Sequence, residues 1–140
     1  SMRSKDRYRR GVDTIDRKHK ELFDRVFYFI QIVQNDTNWE DKIDDVKKTL
    51  DFMKEYVIYH FNDEEKYQEE INFPEIEEHK EAHVKFRESI NQYVQICEAG
   101  QFNENIIKEF AGKLMTWLIV HVCKMDQRIG EYANKKEVKA

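Results

Sequence analysis

Five histidines occur in this chain of 140 residues, and two of them, His79 and His83, stand four apart in the stretch HKEAH. Residues four apart share one face of an α-helix, so both imidazoles would address the same neighbour. Similar chemistry recurs along the chain. His60 precedes Glu64 at the same spacing, His19 stands in IDRKHKELF, and His121 stands in WLIVHVCKMD ahead of Asp126. Neutral imidazole nitrogen and anionic carboxylate oxygen together suit a transition-metal ion. A lone HxxxH pair is weak evidence, because a histidine on an apolar face is more often a hydrogen-bonded core residue. The positions of all five relative to the apolar stripes therefore decide the matter.

Four periodic segments are separated by breaks at NDTN (35–38), INFP (71–74) and EAGQFN (98–103). Thr37 with Glu40 fits a capping box, Pro74 fits a first helical turn, Gly100 fits a C-terminal cap and Asn103 fits an N-cap. Short connections imply antiparallel neighbours. The expected fold is therefore all-α, an up-down-up-down antiparallel four-helix bundle.

In the first segment Ile15, His19, Leu22, Val26, Phe29 and Val33 form one seam with helical spacing. In the second, from about Trp39 to Glu70, Ile43, Val46, Leu50, Met53 and Val57 lead on to His60, Glu64 and Tyr67. The third runs through Ile76, His79, His83, Phe86, Ile90, Tyr93 and Cys97. The fourth runs through Ile107, Phe110, Leu114, Trp117 and His121. All five histidines thus fall on inward seams, and Glu64 joins them. Burying that set with no lysine or arginine in the same seams to neutralise Glu64 is costly for each unpaired charge. A bound cation removes the cost. Antiparallel order brings the six residues to one level near one end of the bundle. Asp126 lies five residues after His121, about 140° round an ideal helix, so periodicity alone does not place it with them. Cys123, about 200° from His121, should face away.

The composition bounds the rest. With 37% charged residues, a single proline and 13% aromatics, the chain reads as one helical domain large enough to bury a core unaided. A net charge of -4 and the absence of a long basic run argue against nucleic acid as a partner. No apolar run reaches the ~18 residues of a membrane span, and SMRSKDRYRR is no signal peptide. Two cysteines make no disulfide framework. A cytoplasmic protein with no membrane partner is expected.

In order and spacing, IDRKHKELF, HFNDEE, FPEIEEHKEAHVKF and WLIVHVCKMD resemble the four ligand-bearing segments of the hemerythrins, above all the single-domain bacterial ones. The resemblance runs from about Gly11 to about Asp126. It implies a single hemerythrin-like domain over 1–140, with 1–10 and 134–140 as flexible ends. It further implies two iron ions bridged by an oxo or hydroxo group and two carboxylates. His79, His83 and His121 would hold one iron and His19 and His60 the other, with Glu64 and Asp126 bridging. The second iron keeps an open position, where the resemblance implies reversible binding of O2 for carriage, storage or sensing. Small anions such as azide, or nitric oxide, could compete there.

Leu22, Phe61, Trp117, Leu118 and Val122 match apolar positions of the family's O2 pocket. The alternatives are a di-iron enzyme, either a peroxidase or a nitric-oxide-consuming protein, or an iron-handling protein using the same site. Oxygen-activating carboxylate bundles carry ExxH on two helices. Here the residue three before each histidine is Asp16, Val57, Ile76, Lys80 or Leu118, so the chain is expected not to be an enzyme of that kind. Three departures from the bacterial pattern stand out: Gln68 where methionine is usual, Tyr8 as the nearest aromatic where a tryptophan is common, and Val122 where isoleucine or leucine is frequent. All three are expected to leave the ligands untouched and to affect only the pocket.

Overall fold

The computed structural model describes the backbone of residues 2–35 and 38–139, and the side chains of these except 2–12, 14, 126 and 137–139. Helix α1 spans Met2–Gln34, α2 Trp39–Glu70, α3 Ile76–Glu98, α4 Glu104–Thr116 and α5 Lys124–Lys139. Between α4 and α5, Trp117–Cys123 is wound as a π-helix, so that α4, the π segment and α5 form one continuous fourth rod. No strand occurs among the described residues. The architecture is the expected all-α four-helix bundle: α1 packs on α2 and on the fourth rod, and α2 packs on α3. No helix is long and apolar enough to cross a membrane.

The seams read from the sequence form the core. Leu22, Val26, Phe29, Val46, Leu50, Met53, Phe110 and Leu114 are buried together with Phe86 and Ile90. Removal of these side chains from water supplies the main drive for assembly. A second cluster was not foreseen. Ile15, Tyr67, Ile71, Phe73, Ile129 and Ala133 pack together, with Tyr132 against them. The fourth rod runs on well past residue 126 to make this plug, so the histidines lie between two apolar layers and not at an open end. Helical backbone reaches into both 1–10 and 134–140, the ends expected to be flexible, and the side chains of 1–10 lie outside the described ones.

The helix ends show local chemistry at work. Gly100 adopts φ +68°, its N–H reaches the Cys97 carbonyl and that of Gln101 reaches Ile96, which is a Schellman ending of α3. Helix α2 closes in the same way. Asn72 takes φ 55°, its N–H donates to Glu69 and that of Phe73 donates to Gln68 at 2.8 Å. Asn103 caps α4 as expected, accepting from the Ile106 N–H at 3.0 Å.

Two expected caps differ. Thr37 lies outside the described residues, and α2 starts instead from Asn38, which makes no side-chain cap. Pro74 precedes the α3 N-cap, Glu75, because the left-handed turn at Asn72 delays the helix. Lys42 is buried, with Nζ donating to the Val33 and Asn35 carbonyls at 2.8 and 2.7 Å. It satisfies the negative end of α1 and is thereby committed away from Glu64.

Candidate metal centre

Glu64 is 1% exposed and projects from α2 into the middle of the bundle. Its two oxygens face different histidines. Oε2 lies 2.9 Å from His60 Nε2 and 3.3 Å from His19 Nε2. Oε1 lies 3.1 Å from His79 Nδ1 and 3.4 Å from His83 Nε2. His121 belongs to the second group, its ring centroid 5.0 Å from that of His79 and 5.1 Å from that of His83. The structure therefore brings six of the seven sequence-nominated residues into two sets, His19–His60–Glu64 and Glu64–His79–His83–His121, joined through one carboxylate. The side chain of the seventh, Asp126, lies outside the described ones.

The donor set fits a metal. His60 Nε2 and His19 Nε2 are 2.9 Å apart, and with Glu64 Oε2 they form a triangle of near-equal sides. An ion about 2.0–2.2 Å from each atom, bound at right angles, would hold them about 3 Å apart. Without a proton or a cation between them, three lone-pair atoms so close repel one another. His79 Nε2 is buried with no hydrogen-bond partner among the described residues, and an orphaned buried nitrogen of this kind is costly.

The electrostatics follow from burial. Burial alone would raise the pKa of Glu64, but contacts from His19, His60, His79 and His83 outweigh it and hold the group well below the usual carboxylate range. Burial lowers His60, with Glu64 partly opposing, and lowers His121 to about 3. Burial thus favours the neutral form of these two rings, the form in which imidazole binds metal.

Aromatic faces clamp the rings in place. Phe61 stacks on His83 at 3.8 Å, and Trp117 is sandwiched between Phe86 at 4.0 Å and His121 at 3.8 Å. The Trp117–His121 stack sits inside the π segment, which no sequence period announced. In π winding the backbone bonds run from i to i+5, so the ideal-helix angle used in reading the sequence does not apply as far as Cys123, where α5 takes over short of Asp126.

Two polar residues escaped the sequence reading. Glu65 Oε2 accepts from His83 Nδ1 at 3.1 Å, which leaves His83 Nε2 facing Glu64. Gln68, expected to leave the ligands untouched, contacts two of them: its Nε2 is 2.6 Å from His79 Nδ1 and 3.5 Å from Glu64 Oε1. The signal was available. Val57, Phe61, Glu64 and Gln68 make a second row of steps of four and three beside the seam through His60 and Tyr67, and a core-facing helix buries both rows.

Of the apolar residues nominated around the site, Leu22, Phe61, Leu118 and Val122 are buried and Trp117 is half-buried. A cleft of ≈ 710 Å³ between α3 and α4 reaches Trp117 and His121. Cys123 is exposed, facing away as expected, although the π winding alters the angle on which that expectation rested. Cys123→Ser should therefore leave metal content and the absorption spectrum unchanged, and loss of either in a folded variant would show that the thiol reaches the site.

The profile of the Hemerythrin HHE cation binding domain matches residues 10–133. A bacteriohemerythrin of Clostridium acetobutylicum is 28% identical over 123 residues, covering 88% of this chain and 94% of that protein. Another bacteriohemerythrin, of Stenotrophomonas maltophilia, is 28% identical over 117 residues, covering 84% of this chain and 71% of that protein. No solved structure matches significantly. A family match across nearly the whole chain, over clusters of buried histidine and glutamate that point to non-haem iron, leads to one conclusion: the chain belongs to the hemerythrin family.

Proposed function

We propose that this protein binds O2 reversibly at a di-iron centre, for carriage, storage or sensing, and is not an enzyme. His79, His83 and His121 hold one iron, His19 and His60 the other, and Glu64 and Asp126 bridge them. The observation that carries the reading is the placement of Glu64, which turns one oxygen to each histidine set. Three histidines on one side and two on the other leave the second set open to a ligand from outside, the arrangement of a working metal site as opposed to a purely structural one. When bound, the iron pair supplies the electrons that O2 takes up and returns.

The chain's own task is to admit a small apolar molecule while keeping water and protons out. Leu22, Phe61, Leu118 and Val122 surround the ligands' level with hydrocarbon and aromatic surface. Among the described residues, the buried polar groups besides the phenols of Tyr56, Tyr67 and Tyr93 are the five histidines, Glu64, Gln68 and Lys42, and Lys42 is held by the carbonyls of α1. Among the described residues Glu64 is therefore the only buried carboxyl, and no second one stands ready to deliver a proton. The cleft between α3 and α4 brings apolar surface up to Trp117 and His121, on the three-histidine side of the cluster.

Absorption of the reduced, iron-loaded protein tests the reading. A band should appear in air and vanish under argon through repeated cycles. Steady consumption of peroxide or nitric oxide would favour an enzyme, and no spectral response to air would favour iron handling.

Val122 tests the wall. It is 2% exposed and adjoins His121. Val122→Ala should hasten loss of the oxygenated band in air and Val122→Ile should slow it, each at a stability cost of about 1–3 kcal/mol. The decay is followed with and without azide, and identical decay in all three proteins would place the wall elsewhere.

A further inference from the structure

Gln68 is fully buried, one helical turn beyond Glu64 on α2, and its amide touches one ligand from each of two helices. Its backbone is fixed as well, because its carbonyl accepts the Phe73 N–H that closes α2. On the other side, Phe73 packs edge-on against His79 at 5.8 Å. The amide and the ring are therefore held against each other by a chain reversal as well as by their own contact.

The two opening histidines meet different partners on α2. His83 Nδ1 meets the carboxylate of Glu65 at 3.1 Å, whereas His79 Nδ1 meets the neutral amide of Gln68 at 2.6 Å and, beyond it at 3.1 Å, Glu64 Oε1, an oxygen that a bound metal would engage. The nitrogen left over on His79 is Nε2, buried and without a partner among the described residues. An imidazole that gives one nitrogen to a metal keeps a proton on the other and needs an acceptor for it. The oxygen and nitrogen of a carboxamide exchange places by rotation about one bond, and the proton on the ring decides which end faces it.

We infer that Gln68 is a positioning residue for the metal centre: its carbonyl accepts the Nδ1 proton of His79, fixing the tautomer that presents Nε2 to the metal. This rests on the proposal that the cluster holds iron and deepens it. A neutral acceptor polarises the ring less than a carboxylate does. His79 is therefore a weaker electron donor than His83, and the site combines one anionic and one neutral outer partner. A methionine at this position offers no acceptor for the proton.

The test uses Gln68→Met and Gln68→Glu beside the wild type. Methionine is close in volume, so its variant keeps the fold even if the charged variant does not. In zinc-loaded protein, ¹⁵N NMR of the histidine rings should show His79 protonated at Nδ1, with slow proton exchange in the wild type and fast exchange in Gln68→Met. Zinc affinity of Gln68→Met should fall roughly ten- to a hundred-fold, the usual effect of losing an outer partner.

In iron-loaded protein the reduction potential should decrease in the order Met, Gln, Glu. Protonation of His79 at Nε2, equal potentials in Gln68→Met and wild type, or the reverse order would overturn the inference. The reverse order would mean that the amide acts as a donor to Glu64. Failure of O2 reversibility with the zinc results intact would sink the proposed function and leave this inference standing.

Discussion

Glu64→Ala is expected to lose its second metal altogether and to hold the first weakly. Among the described residues the carboxylate is the one candidate ligand common to both histidine sets, so its removal disconnects them. The loaded protein should be destabilised by about 3–5 kcal/mol, the range for removing one partner from a buried charge cluster. Metal analysis and thermal unfolding of loaded and metal-free proteins check this together. The loss should be much larger in the loaded form, because binding free energy adds to folding free energy. Equal destabilisation of both forms would mean that Glu64 serves packing alone.

Acid should release the metal and then unfold the metal-free bundle. Burial lowers the pKa of His121 from 6.5 to about 3, and that of His60 in the same direction. A base with a lowered pKa binds its proton less readily when folded than when unfolded. Its contribution is therefore fully present above about pH 6.5 and is lost as the pH falls toward 3. For His121 this is on the order of 4–5 kcal/mol. Glu64 works in the same sense: its carboxyl is held well below the ordinary 4.5, so its contribution is present above that value and disappears as the pH falls through the folded one. Unfolding of metal-free protein between pH 7 and pH 3, followed by circular dichroism, should show a steep decline in stability across that window. His121→Phe, which keeps a ring against Trp117 without a base, should flatten the upper part of the curve.

The site was legible in the sequence to the extent that helical periodicity fixes which side chains face inward. His19, His60, Glu64, His79, His83 and His121 each continue a seam of apolar residues, and each is buried where that seam leads. Gly100 and Asn103 announced their roles because a left-handed turn and an N-cap have strong residue preferences. The π segment announced nothing, since an inserted residue in a helix answers to packing around Trp117 and His121 and not to a local pattern. The plug of Ile15, Ile71, Phe73 and Ile129 depends on where the fourth rod ends, which no cap in the sequence marked. Glu65 and Gln68 were missed for different reasons. Glu65 lies at the edge of the buried face, and Gln68 was read as a departure from a family pattern when its burial and spacing made it a neighbour of Glu64 and His79.

The central claim is that one buried carboxylate joins two metal positions inside a single bundle. Iron analysis with Mössbauer spectroscopy of the oxidised, ⁵⁷Fe-loaded protein tests it most directly. The account predicts about two irons per chain, coupled into a diamagnetic pair, as expected for ions that share bridging ligands within about 4 Å. One iron per chain, or two irons that behave as isolated paramagnets, would contradict it.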